Sequence, residues 1–121
     1  MKIGELSRLT GVSIRSLRYY EKQGLIASVR LTNGYRDFSP LTEETVKTIK
    51  LYLNLGLTTE QIAGFLNCVL QNKEAFCTEV MPIYNQKLEE IERQIIELNQ
   101  IRANLLDRMA YVRLEGGANN R

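Results

Sequence analysis

Arg15, Arg18, Tyr19 and Lys22 crowd one short stretch of this chain, and Arg30, Tyr35 and Arg36 crowd another. Arginine offers a planar fork of donors that suits phosphate oxygens and guanine edges. Tyrosine adds one hydroxyl and a flat apolar body that can lie against a sugar. Basic groups interleaved with aromatic ones point to nucleic acid. The bland alternative is a pair of solvated surface elements. Other chemistries are poorly served. The chain has no histidine, which excludes a Ser-His-Asp triad, a Cys-His dyad and any zinc site built on imidazole. It also lacks a paired-carboxylate setting and a phosphate-cradling glycine loop, so it reads as a non-enzyme. Cys68 and Cys77 are its only cysteines, too few for a disulfide framework.

Those side chains need elements to hold them. Ile3 to Thr10 has apolar residues at 3, 6 and 9, a helical spacing, and Gly11 ends it. Ser13 caps a second helix over about residues 14–22, which exposes Arg15, Arg18, Tyr19 and Lys22. Two short helices joined by Gly-Val-Ser form a helix-turn-helix pattern over about residues 3–24. Its second helix fits a DNA major groove. Residues 28–38 then read as a hairpin with Asn33-Gly34 in a type I′ turn. Directly after a helix pair, such a hairpin reads as a wing bearing Arg30, Tyr35 and Arg36.

Ser39 and Pro40 open a third helix, with Leu41, Thr45, Val46, Ile49 and Leu53 as its buried stripe. After Gly56, Thr58 and Gln61 form a capping box, and a fourth helix runs through Ile62, Phe65, Leu66 and Val69. Residues 40–70 are thus a second helix pair, and 1–70 one winged helix-turn-helix head. A polar connection covers 71–79. From Val80 the apolar residues fall at Tyr84, Leu88, Ile91, Ile95, Leu98, Ile101, Leu105, Met109 and Val112. Steps of three and four make this a coiled-coil seam over 80–113. About thirty helical residues span ~45 Å, too long to pack wholly on the head, so the stripe predicts a homodimer. Residues 114–121, with Gly116-Gly117, read as a flexible tail.

Composition agrees with a divided chain. Its 121 residues carry a net charge of only +2, yet residues 1–50 hold +4 and residues 51–121 hold −2. The basic front half suits DNA and the acidic back half a different task. No apolar run has signal-peptide or membrane-spanning length, which predicts a cytoplasmic protein with no membrane partner.

The run Gly4-Glu-Leu-Ser-Arg-Leu-Thr-Gly-Val-Ser-Ile-Arg-Ser-Leu-Arg-Tyr-Tyr-Glu-Lys-Gln-Gly-Leu25 resembles the opening signature of the MerR family of bacterial transcription regulators. Asn33-Gly-Tyr-Arg-Asp-Phe38 resembles that family's wing, Leu55 to Ile62 its second helix pair, and the last helix its dimerisation rod. The likeness covers about residues 2–113. One departure is Glu43, where members place an apolar residue; Leu41 or Pro40 is expected to fill the gap. The resemblance implies a mainly α fold: a winged helix-turn-helix head, a second helix pair and a long antiparallel coiled coil. It implies a homodimer on a promoter palindrome that acts on RNA polymerase indirectly, by bending and untwisting the promoter. By position, Arg18, Tyr19, Tyr35 and Arg36 match DNA contacts, with Ser13, Arg15 and Tyr20 as supports. Tyr20 has core packing as its equal alternative.

The effector is less legible. Metal-sensing relatives carry a cysteine at the start of the long helix, which Cys77 matches, and more beyond its end. Residues 78–121 hold neither Cys nor His, and one thiolate cannot close a soft-metal site. This argues against a metal cofactor. Three readings follow. A small molecule binds near Tyr52, Phe65, Phe76, Tyr84 or Tyr111. Alternatively Cys77 is a thiol switch, against the plainer reading of a buried or idle cysteine. Or the protein needs no effector. A rival to all three is an architectural or phage-type winged-helix protein that bends DNA without activating transcription.

Overall fold

The computed structural model describes residues 1–119. It is mainly helical, in the order α1 (Ile3–Thr10), α2 (Ile14–Lys22), β1 (Val29–Arg30), β2 (Arg36–Asp37), α3 (Leu41–Asn54), α4 (Thr59–Ala63), α5 (Leu66–Gln71), a 3₁₀ turn (Glu74–Phe76) and α6 (Val80–Asn119). The chain divides into two compact units, Met1–Ile83 and Tyr84 onward.

Capping chemistry sets the helix starts in the first unit. Ser13 Oγ accepts the Ser16 N–H at 3.1 Å and so opens α2. Thr58 Oγ1 accepts the Gln61 N–H at 3.1 Å, while Gln61 Oε1 accepts the Thr58 N–H at 2.9 Å. This reciprocal box stabilises α4 by about 1 kcal/mol. Phe38, Leu6, Leu17, Ile49, Ile62 and Val46 are the largest side chains shut fully from solvent. Each contributes about 2 kcal/mol by leaving water. The core therefore forms where α1, α2, α3, α4 and the end of the wing converge.

Three expected details come out differently. In α3 the buried stripe is Thr42, Val46, Ile49 and Tyr52. Leu41 is 79% exposed, so it does not fill the gap left by Glu43. That carboxylate instead pairs with Lys47 one turn on, at 3.1 Å. The expected fourth helix is split into α4 and α5 at Gly64 and Phe65, where Phe65 leaves helical geometry at φ −137°. Gly64 serves a close approach: a Cβ there would meet the Gln61 carbonyl at 3.2 Å and Ile83 Cδ1 at 3.5 Å.

The wing turn is the third. β1 and β2 pair antiparallel with Val29 opposite Asp37 and Arg30 opposite Arg36. Gly34 N–H donates to the Leu31 carbonyl at 2.9 Å, and Leu31 N–H to the Tyr35 carbonyl at 2.8 Å. Only Gly34 has positive φ here, at 86°; Asn33 does not. A type I′ turn needs both. The loop is the longer kind, a tight turn followed by one left-handed glycine.

Helix α6 starts at Val80, within the first unit, and continues as one helix to Asn119. Pro82 falls in its first turn, where a missing N–H is tolerated. The helix passes through Gly116 and Gly117, where the sequence predicts a loose tail. Glycine costs about 1 kcal/mol in a helix without forbidding it, and no proline follows. Asn120 and Arg121, also assigned to that tail, lie outside the described residues. Forty residues at 1.5 Å each make a rod of roughly 60 Å. Leu88, Ile95, Leu98, Ile101, Leu105, Met109 and Val112 are all exposed along it, and Ile91 is half-buried. Ile96, Leu106 and Leu114, outside the expected seam, are exposed too.

Candidate nucleic-acid interface

Helix α2 sorts its residues by face. Leu17 and Tyr20 are buried, while Arg15, Arg18, Tyr19 and Lys22 are exposed. The buried pair anchors the helix on the core and aims the basic face outward. Tyr20 is thus a core residue, as its alternative reading had it. Burial pushes its phenol above the usual value near 10. The sign is fixed: the unfolded phenol ionises first, so stability is full below pH 10 and falls as pH rises past it. We expect Tyr20→Phe, which keeps the ring, to lose less stability than the parent between about pH 9 and about pH 11. Urea melts across that range measure it, and parallel pH profiles would remove the assignment.

The wing is tied to α2 through Glu21. Its carboxylate accepts from Ser28 Oγ and lies 3.3 Å from Arg36 Nε. Arg36 faces Arg30 directly across the ladder, and like charges so placed repel. Glu21 offsets that repulsion. Arg36 is half-buried and engaged within the chain, whereas Tyr35 is 59% exposed. Tyr35 meets Lys2, whose Nζ sits 5.0 Å from the ring centroid.

Between α1, α2 and the wing lies an open groove of about 900 Å³, lined by Lys2, Arg18, Arg30, Tyr35 and Arg36 among others. Four basic side chains share it with the carboxylates of Glu5 and Asp37, and the Met1 ammonium pairs with Asp37 at 2.8 Å. Of the expected contacts, Arg18, Tyr35 and Arg36 meet in this groove. Arg15 and Tyr19 stay on the exposed face of α2 outside its lining, and Ser13 is spent on its cap. Lys2 is a contact the sequence does not predict. A lone lysine at position 2 carries no pattern; only the fold brings it to the wing.

The expected effector residues lie in different local settings. Tyr52 and Phe65 are buried in the core, rings edge to face with centroids 4.8 Å apart. Phe76 is 74% exposed. Tyr84 and Tyr111 belong to the second unit, where Arg108 covers the Tyr111 ring at 4.5 Å. Cys77 is buried and bonded to Cys68. The two cysteines, too few for a framework, still make one bridge. Their sequence separation of 9 gave no hint, because the α5 turn and the 3₁₀ turn fold the connection back on itself.

The comparisons with known proteins fall on the same elements. The family described as MerR family regulatory protein matches residues 2–38, and the one described as MerR, DNA binding matches residues 43–108. The chain belongs to the MerR family. It is a DNA-binding transcription regulator that acts as a dimer on double-stranded DNA. It is 36% identical over 107 residues to the mercuric resistance operon regulatory protein of Bacillus cereus, covering 88% of this chain and 80% of that one. The HTH-type transcriptional regulator HmrR of Rhizobium leguminosarum bv. viciae is 34% identical over 105 residues, 87% of this chain and 81% of its own. Among solved structures, the transcription regulator PbrR691 from Ralstonia metallidurans in complex with lead(II) matches with a TM-score of 0.76. That match has 23% identity, over 88% of this chain and 83% of the other. No helix among the described residues is long and apolar enough to cross a membrane.

These relatives give no support to the expectation against a metal effector, since two of the three are named with a metal. The donor set in this chain is another matter. Among the described residues there is no group of three or more His, Cys, Asp or Glu placed to hold a metal ion. Both sulfurs are engaged with each other. A bonded sulfur pair does not fit the closed thiolate sites that zinc requires.

Proposed function

We propose that this MerR-family chain binds a promoter palindrome as a homodimer and controls transcription by changing the shape of the DNA. The clustering of Lys2, Arg18, Arg30, Tyr35 and Arg36 around one groove beside the exposed face of α2 carries the reading. Arg15, Arg18 and Tyr19 on α2 meet the major groove and its phosphates; Tyr35 and the wing arginines meet the flanking backbone. Ser13 and Tyr20 hold α2 in place. The seam from Leu88 through Ile91, Ile95, Leu98, Ile101, Leu105 and Met109 to Val112 pairs with a second copy. Its exposed apolar side chains in a single chain support that. RNA polymerase then reads a promoter whose two elements the bend brings into register. The protein has no catalytic step and works in the cytoplasm, where the promoter is.

A footprint on the DNA upstream of its own gene tests this. The expected result is one protected palindrome inside an over-long promoter spacer, with enhanced cleavage at its centre where the duplex is deformed. Uniform protection without a boundary would leave only an architectural DNA coat.

A further inference from the structure

The head closes with a covalent feature that DNA binding does not use. Cys68, on α5, and Cys77, just before α6, have Cα atoms 6.0 Å apart and are joined through their sulfurs. That spacing is the ordinary one for a bridge. Bridges in proteins that work in a reducing compartment are mostly transient and redox-sensing. We propose that Cys68 and Cys77 form a reversible dithiol–disulfide couple that is the effector input of this regulator; this rests on the regulator reading above.

The two sulfurs differ in a way that assigns their roles. Asn72 Nδ2 donates to Cys68 Sγ at 3.8 Å. A donor favours the thiolate form. Cys77 Sγ instead lies 3.8 Å from the Lys73 carbonyl, an acceptor that favours a retained S–H. Cys68 is half-buried and Cys77 is 4% exposed. Cys68 is therefore the attacking sulfur and Cys77 the resolving one. The oxidant is a low-molecular-weight disulfide, RS–SR. Cys68 thiolate attacks one of its sulfurs and expels RS⁻, leaving a mixed disulfide. Cys77 loses its proton, attacks Cys68 Sγ and expels the second RS⁻. Overall, two protein thiols and RS–SR become one protein disulfide and two RSH.

The bond has a mechanical site of action. Cys77 accepts the Val80 N–H on its carbonyl at 3.2 Å, at the first residue of α6, and Asn72 Nδ2 holds the Cys68 carbonyl at 3.2 Å at the end of α5. Oxidation thus clamps the end of α5 to the residue that starts α6, and reduction frees the connection between them.

The test uses the full-length wild-type protein in mixtures of reduced and oxidised glutathione, trapped with iodoacetamide and weighed intact. The expected outcome is two alkylated thiols under reducing conditions and none under oxidising ones, with native circular dichroism in both. Run-off transcription from the operator promoter then differs by about fivefold or more between the two states. The double variant Cys68→Ser, Cys77→Ser gives one level in both; if it fails to fold, the wild-type states alone decide. A bond that yields to reductant only on unfolding is a structural staple and overturns the proposal. Equal wild-type transcription in both states overturns it as well, with operator binding, followed by fluorescence anisotropy, intact. Loss of operator binding in both states overturns the regulator reading itself and this proposal with it.

Discussion

Arg18→Ala weakens operator binding by about 10- to 100-fold and lowers the slope of log affinity against log salt by about one. Two observations set the size. Arg18 lies on the exposed face of α2, and it also lines the groove shared with the wing. It is the one residue of α2 in that groove lining that also belongs to the expected contact set. A bidentate arginine contact is worth about 1–3 kcal/mol. Loss of one neutralised phosphate removes roughly 0.9 from the slope. Arg18→Lys separates the two contributions. It keeps the charge and so the slope, but loses the fork that reads a guanine edge. Fluorescence anisotropy titrations at several salt concentrations measure both quantities. Affinity and slope that stay at the parent's values would take Arg18 out of the interface.

Phe38→Ala costs about 3–5 kcal/mol of folding stability. Phe38 follows β2 directly and is completely shut from solvent. Its N–H donates to the Met1 carbonyl at 2.7 Å, so the ring and the backbone together fix the base of the wing to the start of α1. Truncation leaves a cavity there. A small domain commonly has only about 5–15 kcal/mol in total, so the variant is close to unfolding. Its loss of DNA binding would follow from lost structure. Phe38→Leu, which fills most of the volume, costs about 1–1.5 kcal/mol and keeps binding. Urea unfolding of the three proteins gives the ranking. A Phe38→Ala variant within about 1 kcal/mol of the parent would contradict the sealed packing of the Phe38 ring.

Much of this molecule is legible in its sequence because the helix signals are local. Ser13, Gly11, Thr58 and Gln61 act within a few residues of themselves, and each does what its chemistry implies. The basic face of α2 follows from the same periodicity. What escapes the sequence depends on contacts across the chain. Lys2 joins the wing only because α1 packs beside it, as its approach to Tyr35 records. Arg36 reads as a free cation until Glu21 is seen 3.3 Å away. Tyr52 and Phe65 read as ligand-binding aromatics, yet they complete the core against each other. The Cys68–Cys77 bridge needs two tight turns between its ends, and no single signal predicts their combined path.

The long apolar edge of α6 has a consequence for regulation by abundance. A solitary helix gains little from its own backbone, and most helical stability in proteins comes from packing an apolar face. In the dimer proposed above, formation of the rod and association of two copies are one equilibrium, governed by mass action. Each tenfold dilution weakens the dimer relative to its separated chains by about 1.4 kcal/mol. On that proposal, how many copies a cell makes sets what fraction is competent to span a two-fold site, so the supply of the protein is itself a signal to the promoter.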